Sequence, residues 1–183
     1  AVLLILGLVN LGNAAAYTGE SFHKTQLVWV ILGTLVAVAV ALIDMRFFQQ
    51  LSPVFFWGTI ALLVLVLVFG REINHSRRWF DLGPMALQPS EFAKPALVLF
   101  LARFFHGERN PERYSLRTLL RPLAYVALPT ALVMLQPDLG TSLVIIAVGF
   151  SVMFFEGIRL RSFLTLLGII LLLIPLAWEL DVI

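Results

Sequence analysis

Two clusters of ionisable residues interrupt a chain that is otherwise apolar. The first is Gly70–Lys94, GREINHSRRWFDLGPMALQPSEFAK. Within it Glu91 and Lys94 stand three residues apart, so on a helix they share one face. A charge at membrane depth costs about 2.5–3.5 kcal/mol on insertion scales, which makes any such residue a candidate for function. The plainer alternative is that the two neutralise one another close to the interface, where the cost is smaller. Pro89 suits a first helical turn, where its missing N–H costs nothing. Pro95 removes the bond to the Glu91 carbonyl and bends the helix, leaving polar backbone that must face a bundle interior. Arg77, Arg78 and Trp79 lie just upstream. Guanidinium groups bind phosphates in bidentate fashion, and at a membrane surface the anion would be a lipid phosphate or pyrophosphate. Ordinary head-group anchoring is the alternative. His75 reads as a solvated loop residue, because no second His or carboxylate stands at metal-ligand spacing.

The second cluster is Gln136-Pro137-Asp138-Leu139-Gly140-Thr141. Pro137 is expected in a first helical turn, with Gln136 before it and Asp138 in the turn that follows, where the positive end of the helix dipole favours a carboxylate. Asp138 either stabilises this helix start alone or also contacts a cation, such as Lys94 or an arginine of the preceding loop. The Gln-Pro pairs at 88 and 136 echo each other, a single echo and so a poor sign of an internal repeat.

The elements that position these residues must be membrane helices. Of 183 residues, 60% are hydrophobic and 13% charged, and the mean hydropathy is +0.96. Soluble domains are about 45–50% apolar and about 25% charged, so an aqueous globular fold is excluded, as is a disordered chain. Net charge is +2 and no run of like charges exceeds Arg77–Arg78, so nucleic acid is not an expected partner. Cysteine is absent, which removes disulfides and thiolate chemistry. The chain begins at Ala1, already apolar, and stops at Ile183. We expect a single transmembrane bundle over 1–183 that is incomplete at both ends.

A membrane helix needs about 20 apolar residues. The expected spans are Ala1–Ala16, Gln26–Ile43, Pro53–Phe69 and Pro89–Phe105, then Pro122–Leu135, Leu139–Phe155 and Phe163–Trp178. The stretch Leu123–Phe155 holds Asp138 as its one charge. As one helix it would be about 50 Å long, so a break is placed near Pro137 and Gly140. Loops 44–52, 103–121 and 156–162 carry eight arginines, against four basic residues in loops 17–25, 70–88 and 136–138. The positive-inside rule then puts the N-terminus in the cytoplasm. Trp29, Trp57, Trp79 and Trp178 fall near proposed span ends, and His106–Arg121 reads as a basic amphipathic stretch on anionic head groups. The expected fold class is an all-α polytopic membrane protein of about seven transmembrane helices. No strand alternation is evident, which argues against a membrane β-barrel.

Three motifs carry a resemblance: Arg78-Trp79-x-x-Leu82-Gly83, Gln88-Pro89-Ser90-Glu91-Phe92-Ala93-Lys94 and Gln136-Pro137-Asp138-Leu139-Gly140-Thr141. Their order and spacing resemble the SEDS family (shape, elongation, division and sporulation), which includes RodA and FtsW. Ile43-Asp44-Met45-Arg46 is similar to a segment of the RodA branch. The likeness covers essentially the whole chain, as the first seven of the family's ten spans.

The resemblance implies a peptidoglycan glycosyltransferase that polymerises lipid II on the outer face of the bacterial cytoplasmic membrane, in cell elongation and shape control. The 4-hydroxyl of an N-acetylglucosamine attacks the anomeric carbon of a lipid-linked N-acetylmuramic acid, and undecaprenyl pyrophosphate leaves. Such chemistry requires a base and positive charge for the leaving group. The motif match marks Arg78, Gln88, Glu91, Lys94 and Asp138 as functional. Glu91, Lys94 and Asp138 are expected in a buried polar network that shapes the substrate cavity, with Arg78 facing the lipid-linked phosphates. Arg77 and Lys94 lie on the same side to supply positive charge, and Trp79 is counted in the same functional network. The family's catalytic Asp belongs to an outer loop beyond Ile183, so 183 residues alone are expected to be inactive. No cofactor is evident. A divalent metal is compatible with pyrophosphate departure, although no ligand cluster is visible. The expected partners are lipid II, membrane lipids and a class B penicillin-binding protein. Two alternatives stay open: a lipid II flippase, and a non-catalytic scaffold for a transpeptidase.

Overall fold

The computed structural model describes residues 22–73, 76–81, 86–107 and 118–157, together with Gly7, Leu164, Thr165 and Gly168. The first span, most of the seventh, His75, Leu82, Gly83, the basic stretch 108–117, Arg159, Arg161 and Trp178 lie outside the described residues. Among the described residues the helices are α1 (Phe22–Ala41), α2 (Met45–Phe69), α3 (Pro89–Gly107), α4 (Leu120–Met134) and α5 (Leu139–Phe155). Three short strands precede α3: β1 (Arg71–Ile73), β2 (Ser76–Asp81) and β3 (Ala86–Leu87). The chain divides into two compact units, Ala1–Phe47 and Phe48–Ile183.

In the first unit, α1 is apolar around its whole circumference from Gln26 onward, the pattern of a helix with apolar surroundings on all sides. Its Thr34 hydroxyl is satisfied within the helix by the Val30 carbonyl, 2.7 Å away. Asp44 then starts α2. Its carboxylate accepts the Arg46 N–H at 2.9 Å, and its carbonyl accepts the Phe47 N–H at 3.0 Å. This cap corrects the expected third span, because α2 begins at Met45 and most of the expected loop 44–52 is helix.

In the second unit, Pro53 lies inside α2 and does not end it. A proline there leaves the carbonyl four residues back without its helical donor. That carbonyl belongs to Gln49, and it accepts the Ser52 hydroxyl at 3.0 Å and an N–H of Arg103 from α3. At 25 residues, about 38 Å, α2 is long and apolar enough to cross a membrane. The apolar helices Gln26–Ala41, Leu120–Met134 and Leu139–Phe155 are shorter. The longer α2 also corrects Trp57, which sits midway along it and edge-on to Phe56 instead of near a span end.

The core is a set of helix faces. On α3, Ala93, Leu97 and Leu101 repeat every fourth residue and are buried. Ser142, Ile145, Gly149 and Met153, spaced by three or four residues, form the buried face of α5. Helix α3 packs against both α4 and α5. An aromatic cluster joins α2 to this group: Phe56 stacks on Phe100 with ring centroids 4.4 Å apart, and Tyr125 of α4 meets Phe100 edge-on at 4.8 Å. The chain reverses at residues 135–138, so α4 and α5 form an antiparallel hairpin, as the expected break requires. Gly149 permits their close approach, since a Cβ there would lie 2.5 Å from a Val126 methyl. Lipid tails are as apolar as leucine, so such packing, more than water exclusion, holds membrane helices together. Hydroxyl groups follow the same logic. Thr59, Thr130, Ser142 and Ser151 each donate to a carbonyl one turn back.

The strands correct the all-α expectation. They form a three-stranded antiparallel sheet in the order β1-β2-β3. Gly70 makes the transition from α2, where a Cβ would lie 2.3 Å from the Val66 carbonyl oxygen. Arg71 pairs with Trp79 but Glu72 pairs with Arg77, so Arg78 is an extra residue on β2. A bulge of this kind bends the strand and re-aims a side chain. Arg71 and Asp81 close the sheet with an exposed ion pair at 2.5 Å.

Candidate functional site

One end of the second unit gathers the end of α2, the sheet, the start of α3 and the α4–α5 turn. The opposite end is marked by Arg103, which is 14 residues, about 21 Å, along α3 from Pro89 and bonded to Gln49 and Gln50. Local sequence fixes the first end. Pro89 occupies the first position of α3, and the Gln88 carbonyl accepts the Glu91 N–H at 3.1 Å. The second Gln-Pro pair behaves differently. Asp138, not Gln136, caps α5, its carboxylate accepting the Thr141 N–H at 3.2 Å. Pro137 therefore precedes the helix instead of entering its first turn, and the echo between the pairs is not a structural repeat.

Arg78, Gln88 and Asp138 come together across the sheet, α3 and this turn. The Arg78 Nε–H donates to the Gln136 carbonyl at 2.9 Å, and a second guanidinium nitrogen donates to the Pro137 carbonyl. A third nitrogen stands 3.7 Å from the Asp138 carboxylate. The other approach to that carboxylate comes from the Gln88 amide, at 3.5 Å. The pair is sheltered, with the Arg78 side chain 30% exposed and that of Asp138 12%. Of the cations weighed for Asp138, the loop arginine Arg78 is the one in contact.

Glu91 and Lys94 are placed separately. They form an ion pair with Nζ 2.7 Å from Oε1, as their spacing on one helix face requires. Among the described residues, neither bonds to Arg78, Gln88 or Asp138. The Glu91 side chain is 57% exposed and that of Lys94 27%. The expected buried network is therefore two groups: a sheltered one around Asp138, and an open ion pair one turn further along α3.

Arg77 and Arg78 also part company. Because Arg78 is the bulged residue, it turns toward the helices, while Arg77 is exposed and reaches the Val68 carbonyl at 3.4 Å. Trp79 is half-buried in β2 opposite Arg71. Sequence reasoning missed Gln136 as a site residue. It is 1% exposed, its carbonyl receives Arg78, and its amide donates to the Leu63 carbonyl of α2 at 3.5 Å. The signal was its position beside the lone charge of a long apolar run. Among the described residues, no group of three or more His, Asp or Glu is placed to hold a metal ion.

The family model of FtsW, RodA and SpoVE, described as cell cycle protein, matches residues 1–181. A curated relative, the probable peptidoglycan glycosyltransferase FtsW of Escherichia coli O6:H1, is 32% identical over 173 residues, covering 91% of this chain and 42% of the relative. The crystal structure of the rod shape determining protein RodA of Thermus thermophilus superposes with a TM-score of 0.74 at 36% identity, covering 94% of this chain and 57% of that one. A chain from a structure on the coordination of polymerization and crosslinking by a peptidoglycan synthase complex gives a TM-score of 0.78 at 32% identity, covering 97% and 53%. The chain thus spans about half the length of the proteins it matches, or somewhat less.

Proposed function

We propose, for a chain that belongs to the FtsW, RodA and SpoVE family of cell cycle proteins and is an integral, mainly helical membrane protein, that the whole protein is a peptidoglycan glycosyltransferase polymerising lipid II. The observation that carries this reading is the gathering of Arg78, Gln88, Glu91, Lys94 and Asp138 at one end of a helical bundle whose other surfaces are largely apolar. A substrate with a prenyl tail, a pyrophosphate and a sugar needs that combination: apolar surfaces for the tail, and a polar end where the sugars meet. The bias of eight arginines against four basic residues supports placing this end on the outer face of the membrane.

The chemistry divides between this segment and the rest of the protein. The acceptor 4-hydroxyl forms a bond to the anomeric carbon as the bond to the pyrophosphate oxygen breaks. The hydroxyl proton passes to a base, which the family resemblance places in a loop beyond Ile183. Negative charge grows on the departing pyrophosphate. Lys94 is suited to meet it, because its ammonium has three N–H donors and Glu91 takes one of them. Glu91 keeps the ammonium in place between turnovers. Likeness to both FtsW and RodA supports polymerisation, and the Ile43–Arg46 segment supports cell elongation as its setting. A class B penicillin-binding protein is the proposed partner.

Purified full-length protein incubated with lipid II in detergent provides the test, since detergent has no two compartments for transport. Glycan polymer is the expected product. Movement of labelled lipid II across vesicles with no polymer would make the protein a flippase. Neither activity, with a transpeptidase still bound, would make it a scaffold.

A further inference from the structure

We propose that Arg78 is a positioning residue. Its guanidinium brackets the α4–α5 turn and sets the Asp138 carboxylate and the Gln88 amide for substrate, instead of binding the substrate's phosphates. The proposal deepens the lipid II polymerase reading and rests on it.

The argument is one of available donors. A guanidinium presents five N–H groups in a flat fork, and phosphate recognition uses two of them along one edge. At Arg78 the Nε edge faces the Gln136 and Pro137 carbonyls, and the remaining nitrogen faces Asp138. Each of the three nitrogens thus already faces an oxygen of this turn, and a phosphate would have to compete with a partner built into the fold at whichever edge it approached. The partners are also built into the fold. The Gln136 and Pro137 carbonyls follow the last turn of α4, where helix carbonyls lack partners and the dipole favours a cation. Asp138 is held by the Thr141 N–H as the cap of α5. The bulge in β2 supplies the aim, since a regular strand has no extra residue at this place. A lysine would keep the charge and lose the fork.

The geometry gives Arg78 leverage over everything at this end. Through Asp138 it acts on Gln88 at the start of α3. Through the turn it acts on Gln136, whose amide reaches α2. Four helices, α2 to α5, and the sheet are thereby referenced to one side chain. Lys94, bonded to Glu91 among the described residues, remains the cation for an incoming anion.

The test compares full-length wild type with Arg78→Lys and Arg78→Gln in detergent. Bracketing predicts that Arg78→Lys lowers kcat for lipid II polymerisation by about tenfold or more, while KM changes by less than about threefold. Amide exchange at Thr141 should quicken in both variants. A phosphate ligand predicts the reverse: Arg78→Lys keeps kcat and exchange near wild type, and Arg78→Gln raises KM. That result would overturn the proposal. Should Arg78→Lys fail to fold, Asp138→Asn replaces it, with the same fall in kcat at steady KM expected and a rise in KM alone overturning the proposal. The exchange measurement needs no turnover. Unchanged exchange at Thr141 in Arg78→Lys defeats the bracket whatever the activity. Faster exchange in a protein whose wild type makes no polymer upholds the bracket and defeats the polymerase reading alone.

Discussion

Arg103 of α3 donates to the Gln49 carbonyl of α2, the oxygen that Pro53 leaves without a helical partner. A defect in one helix is thus the docking point for the next. Arg103→Met should lower stability in detergent by about 1–3 kcal/mol, because a charged hydrogen bond is lost and a carbonyl is left underserved. Adding Pro53→Ala restores the N–H at position 53, so the double variant should recover part of that loss. Unfolding midpoints of the four proteins check both statements.

Close contact between α4 and α5 depends on Gly149. A methyl there meets Val126 at 2.5 Å, with a second methyl of the same valine at 2.9 Å. Gly149→Ala should destabilise the hairpin by about 1–3 kcal/mol, the usual cost of overpacking. Trimming the opposing side chain with Val126→Ala should make Gly149→Ala better tolerated than in the parent. A double-mutant cycle of unfolding free energies measures that coupling.

Asp138 serves α5 as cap and Arg78 as counter-ion, and two substitutions separate the roles. Asp138→Ala removes both and should cost about 1–3 kcal/mol. Asp138→Asn keeps a capping oxygen and loses the charge, so its stability should lie nearer wild type. Thermal unfolding of the two variants in one detergent tests the order.

The helices from Gln26 to Phe155 could be read from hydropathy, because each is a long apolar run ending at a proline, glycine or charge. The start of α2 could not. Arg46, Gln49 and Gln50 look like a loop, and only the Asp44 cap and the contact from Arg103 show why they are helical. The sheet escaped notice because its strands are short and the bulge at Arg78 interrupts the alternation of β2. The site was half legible. Contact between Asp138 and a loop arginine was among the options weighed from the sequence. Joining Glu91 and Lys94 to it was wrong, because the i, i+3 spacing turns that pair toward each other and outward. Nothing in residue type distinguished Arg77 from Arg78. That distinction belongs to strand register.

Polymerisation of lipid II by the full-length protein in detergent, wild type beside Lys94→Ala, bears most directly on the central claim. The wild type should build glycan strands. Lys94→Ala should be slower by about tenfold or more through lost stabilisation of the departing pyrophosphate, with its unfolding midpoint nearly unchanged. A wild type that makes no glycan, or a Lys94→Ala variant that polymerises at full rate, would contradict the account.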